Sequence, residues 1–289
     1  MKEIASSELI INQDGTIFHL HVKPEQLAHK IILVGDPSRV DLVASFFDSI
    51  EANITNREFH TITGTYKGKR ITAISHGIGT DNIDIVVNEL DALVNIDFAT
   101  RTVKSELTTL EMVRIGTSGG LQPFVPVGTY VVSESSIGFD GVLNFYANRD
   151  KYCDLNFEKA FVEYTDYPKQ AAAPYVVEAD KELVERIAKD DMVRGITISA
   201  NGFYGPQGRE LRIPLAVPTL NSKIESFDYE GRKVTNYEME SSALAGLSLM
   251  LGHKAMTVCS IIANRVAHNM NVDYKASIKT LISTVLDRI

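Results

Sequence analysis

Two carboxylates, Glu238 and Glu240, stand in the run Asn236-Tyr237-Glu238-Met239-Glu240-Ser241-Ser242, directly before a nearly apolar stretch from Ala243 to Leu251. A stretch that is apolar on all sides reads as a helix buried over most of its surface. Carboxylates at its start lie at the edge of the core, near the positive end of the helix dipole. A buried carboxylate without a partner is costly, so both need arginines, backbone N–H groups or ligand hydroxyls. Either Glu240 and Ser241 cap the helix, or Glu240 binds a sugar, with Met239 offering a soft apolar surface beside it.

Three further stretches carry matching chemistry. Arg114 lies inside Met112-Val113-Arg114-Ile115, which reads as a buried strand, and a buried guanidinium wants an anionic partner. The following Gly116-Thr117-Ser118-Gly119-Gly120 reads as a turn whose hydroxyls and backbone N–H groups suit a phosphate; the competing reading pairs Arg114 with an internal Asp or Glu. In Ile31–Arg39, four apolar β-prone residues run into Gly35, Asp36 is a good N-cap and Pro37 suits a first helical turn. Such a junction leaves free N–H groups where an anion can sit, with Arg39 projecting from the first turn. Finally, Asn201–Arg209 holds three glycines, a proline and two aromatics, a shaped loop. Gln207 and Arg209 are spaced to converge on one planar polar ligand, with Phe203 available to stack on it.

Composition narrows the classes. The 289 residues suffice for a sizeable core, and 44% hydrophobic with 23% charged residues is ordinary for a globular protein. A net charge of −8 argues against a general nucleic-acid binder, so any bound phosphate must meet a local cluster of arginines. Cys153 and Cys259 form no CxxC pair, and neither a disulfide framework nor a zinc site is indicated. Residues 1–16 lack the pattern of a signal peptide and no apolar run reaches membrane-spanning length, so a cytoplasmic protein without membrane partners is expected.

The elements that must position these residues alternate between strand and helix. Strands are expected at Ile17–Val22 (with His19 and His21 on its polar face), Ile31–Val34, Ile71–Ile74, Met112–Ile115, Gly128–Ser133, Ile196–Ala200 and Ala255–Ile262. Helices are expected after Pro37, over Ile83–Val94, near 178–190, from Ala243 and over 273–289. Residues 95–109 read as an extended connection and 144–174 as a surface excursion. This order indicates one domain over 1–289, an α/β sandwich around a central sheet with its polar clusters at strand ends. There is no GxGxxG and no GxxxxGK[ST], so dinucleotide and P-loop readings lack their signature.

In this order, Phe18-His19-Leu20, Gly35-Asp36-Pro37-Ser38-Arg39, Arg57-Glu58-Phe59, Arg114–Gly119, Phe203–Arg209, Asn236–Ser241 and Asn264-Arg265 match a known pattern. The chain resembles the nucleoside phosphorylase-I family, on its uridine phosphorylase branch, over nearly its whole length. The resemblance implies a three-layer α/β/α sandwich around a mixed, partly barrel-like sheet. It also implies phosphorolysis of uridine by inorganic phosphate to uracil and ribose 1-phosphate. Phosphate would be held by Gly35, Arg39, Arg114 and Thr117, with Arg57 supplied by a neighbouring subunit. Glu240 would bind the ribose hydroxyls, Met239 would pack on the sugar, and His19 of the neighbour would meet its 5′ end. Ser118, Gly119 and Glu238 belong to the same matched, substrate-binding stretches. Gln207 and Arg209 would hold the uracil edge, with Phe203 stacking and Arg265 in support. The catalytic set is then Arg39, Arg114, Glu240, Arg209 and Gln207. No cofactor is implied beyond phosphate as co-substrate, and the protein would be a homo-oligomer with shared sites, a dimer or a hexamer.

One departure stands out. Asn82 replaces the Ser of some bacterial members, which counts against their monovalent cation site at Glu58, Ile78 and that position. The alternatives are a purine nucleoside phosphorylase, which would carry an Asp where this chain has Asn264-Arg265, a nucleosidase with no use for three phosphate arginines, and a non-catalytic nucleoside sensor.

Overall fold

The computed structural model describes residues 2–267, 269–270 and 274–289. The chain runs β1 (Lys30–Val34), α1 (Pro37–Ala44), β2 (Ser49–Asn56), β3 (Phe59–Tyr66), β4 (Lys69–Ser75), α2 (Thr80–Asn95), β5 (Ile96–Asp97), β6 (Thr102–Val103), β7 (Glu111–Gly120) and β8 (Tyr130–Gly138). It continues through α3 (Leu155–Thr165), β9 (Tyr175–Glu178), α4 (Lys181–Ile187), β10 (Val193–Ser199), α5 (Leu220–Ser226), β11 (Asp228–Tyr229), β12 (Arg232–Glu238), α6 (Ser241–Leu251), β13 (Lys254–Asn264), β14 (Asn269–Met270) and α7 (Lys275–Arg288).

All strands except the β5–β6 hairpin join one twelve-stranded mixed sheet. Strand β1 lies between β4 and β7, parallel to both. Farther along, β7, β13, β8, β10 and β12 close on one another, because β12 pairs with β10 on one side and with Gly119 and Gly120 of β7 on the other. The expected sandwich with a partly barrel-like sheet is therefore the observed fold.

The near-continuous apolar runs of β1 and β7 follow from burial on both faces. Ile31, Leu33 and Met112 pack toward α2 and α6, whereas Ile32, Val34, Val113 and Ile115 pack toward α1, α4 and α7. With a side-chain period of two, Arg114 shares its face with Met112 and points to the side that holds the start of α6. That alternation is what delivers a guanidinium to Glu238 and Glu240.

Several expectations are corrected. Residues 17–22 form a turn, not a strand: His21 N–H donates to Ile17 O, and His21 has a φ of 54°. Its alternating pattern arises because Leu20 and Val22 are buried from a turn. The Gly116–Gly120 segment is strand, because β13 and β12 pair with it on both sides, Ser260 opposite Thr117 and Tyr237 opposite Gly119. The 144–174 excursion contains α3, capped by Asp154, whose side chain accepts from Asn156 N and Phe157 N. Phe157 and Phe161 of α3 are fully buried, and Phe157 stacks on Tyr229 at 4.1 Å. The strand expected at Gly128–Ser133 is Tyr130–Gly138, and the helix near 178–190 spans Lys181–Ile187. The connection 95–109 holds the β5–β6 hairpin. The remaining strands and helices fall where expected; the start of the last helix at 273 lies outside the described residues.

Candidate active site

Arg114 is the hub. Its Nη1 donates to Glu238 Oε2 at 2.8 Å, its Nη2 to Glu240 Oε2, and its Nε to His76 Nε2 at 3.2 Å. An arginine Nε–H only donates, so His76 Nε2 must accept and the imidazole carries its proton on Nδ1. Burial, then the neighbouring charges of Arg114 and Arg39, drives the His76 pKa well below the ordinary histidine value. Burial alone would lower the Arg114 pKa, but Glu240 and Glu238 reverse that and hold it above the ordinary arginine value. Burial raises the Glu240 carboxyl, with Arg114 opposing and Glu238 adding to the rise. A side chain at position 116 would collide with this arrangement: a Cβ there would come 2.8 Å from Arg114 Nη1 and 2.9 Å from Cys259 Sγ. Gly116 is what lets the guanidinium lie along its own strand.

Glu240 occupies the N-cap position of α6 but makes no side-chain cap of that helix. Its Oε1 instead accepts from Gly79 N at 2.7 Å, at the start of α2. The Ser241 amide is satisfied by Glu238. The sequence left capping and ligand binding open for Glu240; the geometry removes the cap.

Arg39 reaches toward the same region from the first turn of α1. Asp36 caps that helix through Ser38 N at 2.8 Å, and Arg39 Nη1 lies 3.4 Å from Ile115 O. Burial and the nearby Arg114 charge lower the Arg39 pKa, with Tyr274 partly offsetting. Two guanidinium groups facing one space in this way favour an anion between them. Thr117 and Ser118 continue from Arg114 along β7, and Ser118 Oγ accepts from Asn236 Nδ2 at 3.0 Å.

The 201–209 loop forms the opposite end. Gln207 is buried, Phe203 is exposed, and Arg209 is half-buried. Arg209 Nη1 donates to Gln207 Oε1 at 2.6 Å and to Phe203 O at 2.5 Å. This fixes the Gln207 amide and leaves its Nε2–H₂ as a donor edge without a partner among the described residues. The Arg209 guanidinium lies 3.8 Å from the centre of the Phe203 ring, a cation–π contact within the loop. Burial, reinforced by Arg265, pulls the Arg209 pKa down to about 10. Arg265 supports the loop from behind by donating to Gln207 O.

All the candidate residues except His19, Arg57 and Arg265 line a single cavity of about 940 Å³. His19 and Arg57 sit together elsewhere: Arg57, at the β2–β3 turn, lies 5.9 Å over the Phe18 ring, and Asn56 Nδ2 donates to His19 O at 2.7 Å. Glu89 holds His19 through Nδ1 at 2.6 Å. At the departure noted in the sequence, the Asn82 amide nitrogen donates to Glu58 Oε1 at 3.4 Å. His76, Gly79 and Ser199 escaped the sequence reading as site-building residues. Their only signal is a place at the C-terminal end of a strand or the start of a helix, where ligand sites of open α/β sheets form.

A mixed sheet with this closure, and a cavity with arginines at one end and an amide–guanidinium edge at the other, defines a class. The family model of the phosphorylase superfamily matches residues 29–285, and the chain belongs to that superfamily. It is 29% identical over 274 residues to the uridine phosphorylase of Thermococcus kodakarensis, covering 93% of this chain and 84% of that protein. It is 30% identical over 252 residues to the uridine phosphorylase of Escherichia coli (strain K12), covering 86% of each. Among solved structures it is similar to a Trypanosoma brucei nucleoside phosphorylase described as showing uridine phosphorylase activity. That match has a TM-score of 0.86 and 31% identity, over 97% of this chain and 98% of that one.

Proposed function

We propose that this enzyme catalyses phosphorolysis of uridine, giving uracil and ribose 1-phosphate, and that residues 1–289 work as one domain. The observation that carries the reading is that one cavity gathers Arg114 and Arg39, Glu240 bound to Arg114, and the Gln207/Arg209 edge. Uridine phosphorylases among its relatives support the same reaction. A phosphate oxygen attacks C1′ of the ribose while the C1′–N1 bond breaks, and its electron pair leaves with the base. Positive charge develops on the sugar and negative charge on the uracil ring, as in other glycosidic cleavages.

Arg39, Arg114, Gly35 and Thr117 would hold phosphate, and Glu240 would take the ribose hydroxyls, with Met239, Ser118 and Gly119 walling the sugar. Gln207 and Arg209 would meet the base. Uracil presents an acceptor, a donor and an acceptor at O2, N3 and O4; the Gln207 Nε2–H₂, Gln207 Oε1 and Arg209 offer the complement. Negative charge gathering on the leaving base strengthens these hydrogen bonds in the transition state. The remaining acceleration comes from holding phosphate and nucleoside in line. His19 and Arg57, which lie off the cavity of their own chain, would complete the site of a second copy in a homo-oligomer. A purine reading has less support: Asn264, where an acid would be needed, is buried and donates to Gln122 O and Val125 O at 3.0 and 2.9 Å. No described helix is long and apolar enough to cross a membrane.

The test is ultraviolet detection of uracil released from uridine, with and without inorganic phosphate, beside inosine. Release that requires phosphate, with inosine left intact, is expected. Release without phosphate would make the protein a nucleosidase, and cleavage of inosine alone would move it to purines.

A further inference from the structure

Glu238 and Glu240 both bind Arg114, yet their remaining valences differ. Glu238 Oε1 accepts from the Ser199 hydroxyl at 2.5 Å, the Ser241 hydroxyl at 2.7 Å and Ser241 N at 3.0 Å. Its Oε2 accepts from Arg114 Nη1 at 2.8 Å and Glu240 N at 2.9 Å. A carboxylate offers about four lone-pair sites, so these donors take them all. The Glu238 side chain is 1% exposed. Among the described residues, the hydrogen bonds to the Glu240 carboxylate come from Gly79 N and Arg114, which leaves acceptor capacity for hydroxyls.

The hydroxyl network around Glu238 has a direction. A carboxylate only accepts, and a charge-assisted bond is stronger than the neutral contact between the Ser199 and Ser241 hydroxyls at 2.9 Å, so both spend their protons on Glu238. Their oxygens are then satisfied from outside: Ser199 accepts from Ser242 N at 2.9 Å and Ser241 from the Ser136 hydroxyl at 3.0 Å. Ser136 sits on β8, Ser199 closes β10, and Ser241 and Ser242 begin α6. The last turn of the barrel and the start of the buried helix are thus tied to one carboxylate, and that carboxylate to one nitrogen of Arg114.

We propose that Glu238 is a positioning residue for Arg114 rather than a sugar ligand, and that the Ser199 and Ser241 hydroxyls hold it in that role. The proposal rests on the phosphorolysis reading for the identity of the anion and the sugar. It divides the labour of the two carboxylates: Glu238 fixes where the guanidinium meets phosphate, and Glu240 alone reads the ribose.

The test uses two readouts on Ser199→Ala, Ser241→Ala, Glu238→Gln and Glu240→Gln. Calorimetric titration with inorganic phosphate reports anion binding without needing turnover. The ratio of kcat/KM for uridine over 2′-deoxyuridine reports sugar reading. Loss of one hydrogen bond to the carboxylate should weaken phosphate binding about tenfold in Ser199→Ala or Ser241→Ala, with the ratio as in the unsubstituted enzyme. Glu238→Gln should behave likewise and more strongly, whereas Glu240→Gln should collapse the ratio. Unchanged phosphate binding in both serine variants overturns the proposal, and so does a ratio that shifts in Glu238→Gln as it does in Glu240→Gln. Should one serine variant not fold, the other removes a hydroxyl from the same oxygen and decides the matter. An enzyme that binds phosphate but leaves uridine intact would defeat the phosphorolysis reading, while the phosphate titration would still decide the role of Glu238.

Discussion

The two ends of the cavity are built differently. At the arginine end the partners of Arg114 among the described residues are buried and come from strands or the start of a helix: His76 from just after β4, Glu238 from β12, Cys259 from β13 and Glu240 from the start of α6. At the base end Phe203, Gln207 and Arg209 share one loop, with Phe203 51% exposed. A second cavity of about 830 Å³ lies on its far side, and Arg209 lines both. Beyond the loop, Leu211 and Ile213 are 76% and 80% exposed. A wall with open space on both faces has few packed neighbours to hold it, and such segments open at low free energy. The contrast teaches a division of work. The anion end is pre-organised in buried ion pairs, whereas the base end sits on an exposed loop held by the Arg209 guanidinium against the Phe203 ring.

The sharpest way to break this comparison is to truncate the arginine at each end. Arg114→Ala should lower kcat/KM for phosphate on the order of 10³-fold, as loss of a pre-organised charged donor does. It should also cost roughly 3–5 kcal/mol of stability, because two buried carboxylates lose their cation. Arg209→Ala should lower kcat/KM for uridine roughly 10–100-fold, with a stability cost of about 1 kcal/mol, below that of Arg114→Ala. Steady-state kinetics and denaturant titration of both variants check the pair; equal stability losses would erase the distinction.

A smaller effect sharpens the base end. Cytidine reverses the hydrogen-bonding sense at N3 and C4, leaving the Gln207 Oε1 and Arg209 edge mispaired. Uridine should be preferred by at least about a hundredfold in kcat/KM, and Gln207→Ala should shrink that preference. The smallest expected effect is in pH. Arg209, pulled down to about 10 by burial and by Arg265, stays cationic through the neutral range, so KM for uridine should hold level there. At the other end the raised Glu240 carboxyl should protonate as pH falls before an ordinary glutamate would, costing sugar binding first. A pH profile of KM for uridine reads both limbs.

How much of this was visible in the sequence follows the same divide. The strand–Gly–helix junction at Gly35–Arg39 was legible because apolar run, cap and proline all agree. Arg114, Glu238 and Glu240 were legible because charge inside an apolar run must be paired. The Gly116–Gly120 segment was misread as a turn because glycine and hydroxyl residues mark turns locally, and only partners on both sides make it a strand. Residues 17–22 imitate a strand because a turn that buries Leu20 and Val22 and leaves His19 and His21 partly exposed reproduces the period of two at its end. Ser199 and His76 were invisible as partners of Glu238 and Arg114, since a serine or histidine at a strand end is ordinary until distant segments meet. The Phe203–Arg209 contact depends on side-chain placement within a loop, which no periodicity encodes.

The most direct measurement is amide hydrogen exchange of the enzyme with phosphate alone and with phosphate plus uracil. A pre-organised anion end and an adjustable base end predict slow exchange along Val113–Ser118 and Ser241–Leu244 in both states. They also predict fast exchange over Phe203–Arg209 that slows when uracil binds. Equal protection of the two ends before uracil, or no change in the loop after it, would contradict the division.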